Sequence, residues 1–393
     1  MKNLFFYLTF CIILISLKPA PALERPAEKL ITIRIFSTRK LGSLRVSGEN
    51  LHLIYRHKSV RINTADASMV PGTNKIQLQT SEKKRIFEGK ILLDSPTPVK
   101  ISLPDGNTRE LTTPLYISNT AEQLILMQKT TIDNYLPGVI SGEMHSAPME
   151  ALKAQAVAAR SFVYSNPGRH KNQGYNFCDS THCQNYHGNV PAHYPEYNNA
   201  ARETRGEILA RNGSPIPGYY HSTCGGSTTT PQLVFEGFEP FCKVVKDKIG
   251  NETLCRNSPH FSWSYKIEKK ELADIFASEP SFISMGKLLK IRIIKKDDSG
   301  RILRIKLTGT NSAVTISGYQ FWQILGSHLG WGTIKSAKFT IKEYNNYYTF
   351  KGYGLGHGIG LCQYGAMNMA RKGFNYRDIL NHYYPGTRII RAY

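Results

Sequence analysis

Residues 148–164, PMEALKAQAVAARSFVY, constrain the fold more than any other stretch of this chain. Met149, Leu152, Ala156, Ala159 and Val163 recur at intervals of three and four, the spacing of a buried helical stripe. Alanines fill much of the remaining circumference. Small side chains let neighbouring backbones approach closely, so the segment is expected to be a central helix, with Pro148 in its first turn. Lys153 and Arg160 share one face of it, and Glu150 precedes Lys153 by three residues. On a surface helix these would be a local ion pair and a solvated arginine. In a buried helix a charge needs a partner, either structural acids or an anionic substrate.

The sequence around this helix divides unevenly. Residues 1–22 read as a secretory signal: Lys2 supplies the positive charge, Leu4 to Leu17 the apolar run, and Ala20 and Ala22 an A-x-A cleavage pattern. Cleaved or kept as an N-terminal anchor, it places the protein in the periplasm or cell-wall space. Residues 23–126 carry short alternating segments such as KLITIRIFS and LHLIYR, separated by turn signals such as PGTNK and PDGN, and are expected to form a mostly antiparallel β-rich region. Residues 127–260 and 334–393 form the motif-dense core. Residues 261–333 read as an α+β insertion, with SWSYKI, LLKIRIIKKD and ILRIKLTG as strands and KKELADIFA and GYQFWQILG as helices. The fold class expected is α+β.

Fifty Lys and Arg against 29 Asp and Glu give a formal net charge of +21. Such an excess favours a polyanionic partner. For an exported chain, a carboxylate-rich wall or an acidic membrane surface fits better than nucleic acid, which rests on charge alone. Cys178, Cys183, Cys224, Cys242, Cys255 and Cys362 remain once Cys11 leaves with the signal, an even count compatible with disulfides outside the cytoplasm.

Four stretches can carry chemistry. Glu143 sits just ahead of the alanine helix, within TIDNYLPGVISGEM, where Asp133 or Asn134 would cap a short helix interrupted by Pro137 and Gly138. The positive end of the following helix dipole would lower its pKa, as suits a capping acid. A general acid needs the reverse, which burial by Val139, Ile140 and Met144 would supply. Cys178, His182 and Cys183 follow a C-x3-H-C spacing, with His170 or His187 as a fourth ligand of a closed tetrahedral zinc site. A Cys178–Cys183 disulfide accounts for the same spacing, and both readings stand. Ser222 beside Gly225 and Gly226 lacks a nucleophile elbow. GYGLGHGIGLCQYGA puts glycines 352, 354, 356, 358 and 360 on one face of an expected extended segment, with His357 on the other, so a chain or ligand should come close to the bare face.

Four blocks in order, IDNYLPGVISGEM, MEALKAQAVAARSFVYS, HSTCGGSTTTPQLVF and GLGHGIGLCQYGAMNMARKGFNYRDILNHYYPGT, resemble the stage II sporulation protein D family, which includes the amidase enhancers. The resemblance implies a peptidoglycan lytic transglycosylase cleaving between N-acetylmuramic acid and N-acetylglucosamine, on glycan strands stripped of stem peptides in the sporulation members. It implies Glu143 as general acid and base, with Asp179 the nearest rival carboxylate. It raises zinc above disulfide for Cys178, His182 and Cys183, with His170 taken as the fourth ligand, and no organic cofactor is expected. Lys153, Arg160, Ser222, His357, Gln363 and Tyr364 become candidate substrate-binding residues. The alternative is a non-catalytic wall-binding protein that recruits or activates a cell-wall amidase, working with division or sporulation membrane proteins. Here Met144-His145-Ser146 replaces a proline frequent after the glutamate, and Cys224 and Cys362 stand where serine is frequent. The expected bridges are Cys224–Cys362 and Cys242–Cys255.

Overall fold

The computed structural model describes residues 28–69, 73–81, 83–234 and 243–393. The signal segment, Cys11 and Cys242 lie outside the described residues, and with them the expected Cys242–Cys255 bridge. The fold is α+β, as expected from the sequence. No helix among the described residues is long and apolar enough to cross a membrane.

The β-rich region is one eleven-stranded sheet, built around the long antiparallel hairpin of strands Ser43–Tyr55 and Lys58–Met69. Strands such as Leu124–Thr131 bury every second residue, with Leu124, Leu126, Gln128 and Thr130 facing inward. That alternation is what a half-buried pleated sheet requires. One pairing departs from the antiparallel rule. The two-residue strand Phe177–Cys178 adds in parallel to Leu30–Ile35 at the sheet edge. It fixes the cysteine–histidine loop against the first strand.

Seven helices of the described residues are α1 (Ile132–Glu143), α2 (Met149–Ser165), α3 (Pro195–Glu203), α4 (Lys269–Ser278), α5 (Gly318–Leu329), α6 (Gln363–Arg371) and α7 (Tyr376–Tyr383). Helix α2 is the central beam that its alanines predict. Residues 151, 152 and 154–163 are buried, and α1, α3, α6, α7 and the strand Glu207–Arg211 all pack on it. Gly218 lies against the backbone of Ala158, where a methyl group would meet the main chain.

Helix α1 corrects the sequence reading. Its cap is Thr131, whose Oγ1 accepts from the Asn134 N–H, and neither Asp133 nor Asn134 serves. Pro137 and Gly138 do not interrupt it; the helix runs through both to Glu143. Pro137 forfeits one helical N–H, but burial of Tyr135, Leu136, Val139 and Ile140 outweighs that loss. Gly138 and Gly142 then let the loop of residues 185–188 lie directly on the helix.

A second hydrophobic core runs from Trp263 to Phe350, around Phe276, Phe282, Phe321 and Phe339. Helices α4 and α5 and strands Ser262–Glu268, Leu288–Lys296 and Ile302–Gly309 form where the sequence places them. This unit extends past residue 333, because strand Tyr347–Tyr353 pairs with Ser262–Glu268 on one side and with Phe339–Glu343 on the other.

Candidate active site

Glu143 is the last residue of α1, at the carboxyl-terminal end of that helix. The dipole end beside it is therefore the negative one, which disfavours a second negative charge. This reverses the effect expected from its place before α2. Burial raises the Glu143 pKa above the usual carboxylate value, and three donors partly oppose it. The Asn185 backbone N–H donates to Oε1 at 2.8 Å, Tyr220 Oη to Oε1 at 3.4 Å, and Gln363 Nε2 to Oε2 at 3.4 Å. Among the described residues, no carboxylate is a hydrogen-bond partner of Glu143. The result is a half-buried acid with a raised pKa, held by neutral donors.

Each donor has a clear origin in the fold. Asn185 reaches Glu143 because Gly142 leaves room for its carbonyl, and its side chain donates back to the Gly142 carbonyl at 2.7 Å. Tyr220 and Gln363 are brought together by a short parallel pairing, Tyr220 with Leu361 and His221 with Cys362. Gln363 then opens α6 and is itself buried. Burial pushes the Tyr220 phenol well above its ordinary pKa, so it stays a neutral donor.

The other predicted residues divide into two groups. Ser222, Tyr364 and His357 sit on the segments that carry Tyr220 and Gln363. The Ser222 carbonyl accepts the Tyr364 N–H, and His357 Nδ1 accepts the Ile359 N–H. Burial lowers the His357 pKa to about 4, so the ring is neutral. None of the three is among Glu143's hydrogen-bond partners. Lys153 and Arg160 belong elsewhere. Lys153 pairs with Glu150 at 2.8 Å and Glu203 at 2.7 Å. Arg160, with 0% exposure, donates to Asp133, Thr204 Oγ1 and the carbonyls of Ala201 and Glu207. Its charge is met inside the protein, which corrects its assignment as a substrate ligand. Asp179 is likewise structural: it accepts the Phe36 and Ser37 N–H groups and pairs with Arg109. Tyr220 and Asn185 were missed in the sequence. The signal for Tyr220 was its place in the YYHSTCGG block; for Asn185 there was none, since its backbone acts.

His170, Cys178, His182 and Cys183 converge, with their ligand atoms all within 4.8 Å of one another. His170 Nε2 lies 3.3 Å from Cys183 Sγ, and His182 Nδ1 lies 3.7 Å from both sulfurs. Tetrahedral zinc with bonds of ~2.0 Å to nitrogen and ~2.3 Å to sulfur places its ligands about 3.3–3.8 Å apart. The donor set and spacing therefore suit zinc, and neither cysteine is in a disulfide. His187 is outside this cluster. The expected Cys224–Cys362 bridge is corrected too: Cys224, Cys255 and Cys362 are all free thiols.

Of the glycine run only Gly352 lies in a strand, Tyr347–Tyr353; beyond it the run is not extended. Gly354, Gly356, Gly358 and Gly360 have φ between +70° and +101°, a conformation that only glycine adopts without strain. What comes close to them is the chain itself: the Thr223 carbonyl at Gly354, His221 at Gly356, Arg301 at Gly358 and the Tyr219 carbonyl at Gly360.

Residues 120–210 match the family described as stage II sporulation protein, and residues 232–360 match a domain of unknown function. An uncharacterised protein of Brachyspira hyodysenteriae is 30% identical over 271 residues, covering 68% of this chain and 69% of that protein. The stage II sporulation protein D of Bacillus subtilis is 28% identical over 302 residues, 71% of this chain and 79% of that one. The chain belongs to the stage II sporulation protein D family. An amidase enhancer of Bacillus subtilis is 29% identical over 65% of this chain, which spans 40% of that longer protein.

Proposed function

We propose that this protein is a peptidoglycan lytic transglycosylase acting in the cell-wall space, with Glu143 as its single acid and base. The observation that carries the reading is the Glu143 carboxyl, raised in pKa by burial and held by Asn185, Tyr220 and Gln363, with no carboxylate partner among the described residues. Hydrolytic glycosidases commonly use two carboxylates, one of them to activate water or attack the sugar. In the transglycosylase route the protonated Glu143 gives its proton to the glycosidic oxygen as the bond to the muramyl anomeric carbon breaks. The hydroxymethyl oxygen of the same muramyl residue bonds to that carbon, and its proton passes to Glu143. An anhydro-muramyl end forms, Glu143 is restored, and no water is consumed.

Ser222, His357 and Tyr364, on the segments that carry Tyr220 and Gln363, are candidate sugar contacts, and the net charge of +21 favours an acidic wall. His170, Cys178, His182 and Cys183 would hold a closed zinc site that fixes the loop ending at Asn185. Four protein ligands leave no open position for a reacting water, so its role is structural. A second reading, recruitment or activation of a cell-wall amidase, is favoured by the match to the amidase enhancer.

The test is incubation of purified protein with intact and peptide-free glycan strands, followed by mass spectrometry for anhydro-muramyl products. Wild type should release them and Glu143→Gln should not. Equal release by both would sink the catalytic assignment. No release from either substrate would favour the amidase reading.

A further inference from the structure

A second group of potential metal ligands lies away from the cysteine–histidine loop. Cys224, Asp247, Cys255 and Cys362 are all buried, and one ligand atom from each lies within 4.8 Å of the others. Cys224 Sγ is 3.6 Å from Cys255 Sγ, the separation of two thiolates on one tetrahedral zinc. We propose that these four residues form a structural zinc site.

Three features of the surroundings point the same way. First, the ligands are oriented from outside. Tyr383 Oη donates to Asp247 Oδ1 at 2.6 Å, and the Cys255 N–H to Oδ2 at 3.1 Å, so the carboxylate is fixed beside the sulfurs. Second, the sulfur of Cys362 receives the Cys224 N–H at 3.3 Å, an outer hydrogen bond of the kind that orients a metal ligand. Third, cations lie beside the cluster. Three thiolates and a carboxylate around a divalent ion leave two net negative charges. Arg301, with 0% exposure, donates to the carbonyls of Cys224 and Ser227, its Nε has no partner, and it makes no salt bridge among the described residues. Lys338 donates to the Gly225 carbonyl at 2.8 Å and Ser227 Oγ at 3.3 Å. Arg301 is buried and Lys338 half-buried; Asp297 faces both with a single negative charge, and the metal cluster adds further counter-charge beside them.

A disulfide does not account for the group. It would use two of the sulfurs and leave the third thiol and Asp247 buried without a purpose. The metal instead ties together the loop after Tyr220, the hairpin of strands Lys248–Ile249 and Glu252–Thr253, and the start of α6. Cys362 immediately precedes Gln363, so the site anchors the backbone that delivers Gln363 to Glu143. The proposal stands whether or not Glu143 is a catalyst.

The test uses the full chain, with Cys178→Ser and Cys183→Ser combined to disable the other cluster. That variant should keep one equivalent of zinc per chain, and its cobalt(II) form should show intense thiolate-to-cobalt charge transfer. Adding Cys255→Ser should remove both signals. A folded double variant holding no zinc would overturn the proposal. A measurement on the unaltered chain covers the case where the variants do not fold: alkylation under denaturing conditions, with chelator and without reductant, then peptide mass mapping. Cys224, Cys255 and Cys362 should each carry the label. A disulfide involving any of the three would overturn the site.

Discussion

Gln363 Nε2 donates to Glu143 Oε2 at 3.4 Å across 220 residues of sequence. The contact exists because Leu361 and Cys362 pair in parallel with Tyr220 and His221, which sets Gln363 at the start of α6 facing the end of α1. Gln363 and Tyr220 both stabilise the ionised carboxylate and so hold the Glu143 pKa below the value that burial alone would give. Gln363→Leu and Tyr220→Phe should each move the basic limb of the pH–rate profile upward. Each should also lower kcat by about tenfold, equivalent to ~1.4 kcal/mol of lost transition-state positioning. A downward move of the limb in both variants would contradict the assigned role.

Glu143 also makes a prediction for stability that needs no substrate. Its folded pKa is raised, so the stability associated with its neutral form is fully present below the unfolded carboxyl pKa. That stability is lost as pH rises through the folded value. Glutamine cannot ionise and mimics the neutral acid. Glu143→Gln should therefore melt higher than wild type at neutral pH, and the difference should shrink as the pH falls through the acidic range. Thermal denaturation of both proteins across pH checks this, and a variant less stable at neutral pH would refute the buried-acid account.

Arg160 is the clearest separation of a charged residue from the site. Its guanidinium satisfies Asp133 at the first turn of α1, two carbonyls and Thr204, which tie α1, α2, α3 and the strand Glu207–Arg211 together. Removing one partner of such a buried pair typically costs about 3–5 kcal/mol. Arg160→Ala should lower the melting temperature sharply, while its remaining folded fraction keeps the wild-type KM. Unchanged stability with a raised KM would restore the substrate-binding reading.

The α2 stripe and the alternating N-terminal strands were legible because period alone sets which face is buried. The Cys178–His182–Cys183 spacing marked side chains that come together in the fold, while leaving zinc and a disulfide both open. What escaped depended on long-range contacts. Glu143 was assigned to the start of α2 because Pro137 and Gly138 read as a break, and tertiary burial overrides that propensity. The glycine alternation read as a strand because sequence spacing cannot separate period-two pleating from repeated left-handed residues. Cys224, Asp247, Cys255 and Cys362 have no regular spacing, so only folding brings them together.

For the cysteine–histidine loop, metal removal should act on stability. A strong chelator should lower the melting temperature of wild type. Cys178→Ser should mimic that loss, because the loop joins the sheet edge through Phe177–Cys178 and ends at Asn185, which bonds Glu143. Structural zinc sites contribute directly to folding free energy. Zinc content by elemental analysis should fall with the melting temperature, and a metal-free protein of unchanged stability would dispose of the site.

Gly358 tests whether the glycine run serves packing. Its φ is +85°, and a methyl group there would run into the Arg301 guanidinium. Gly373 has nearly the same φ, +87°, but open space around the missing side chain. Alanine at either position incurs the left-handed backbone cost of about 1–2 kcal/mol. Gly358→Ala must also displace a fully buried cation, adding about 1–3 kcal/mol of overpacking. Thermal denaturation should therefore rank wild type above Gly373→Ala, and Gly373→Ala above Gly358→Ala. Equal melting temperatures for the two variants would mean that conformation alone selects glycine at 358 and that Arg301 can yield. A larger loss at 358 would place the requirement on the contact with Arg301, the same residue that balances the buried cysteine cluster.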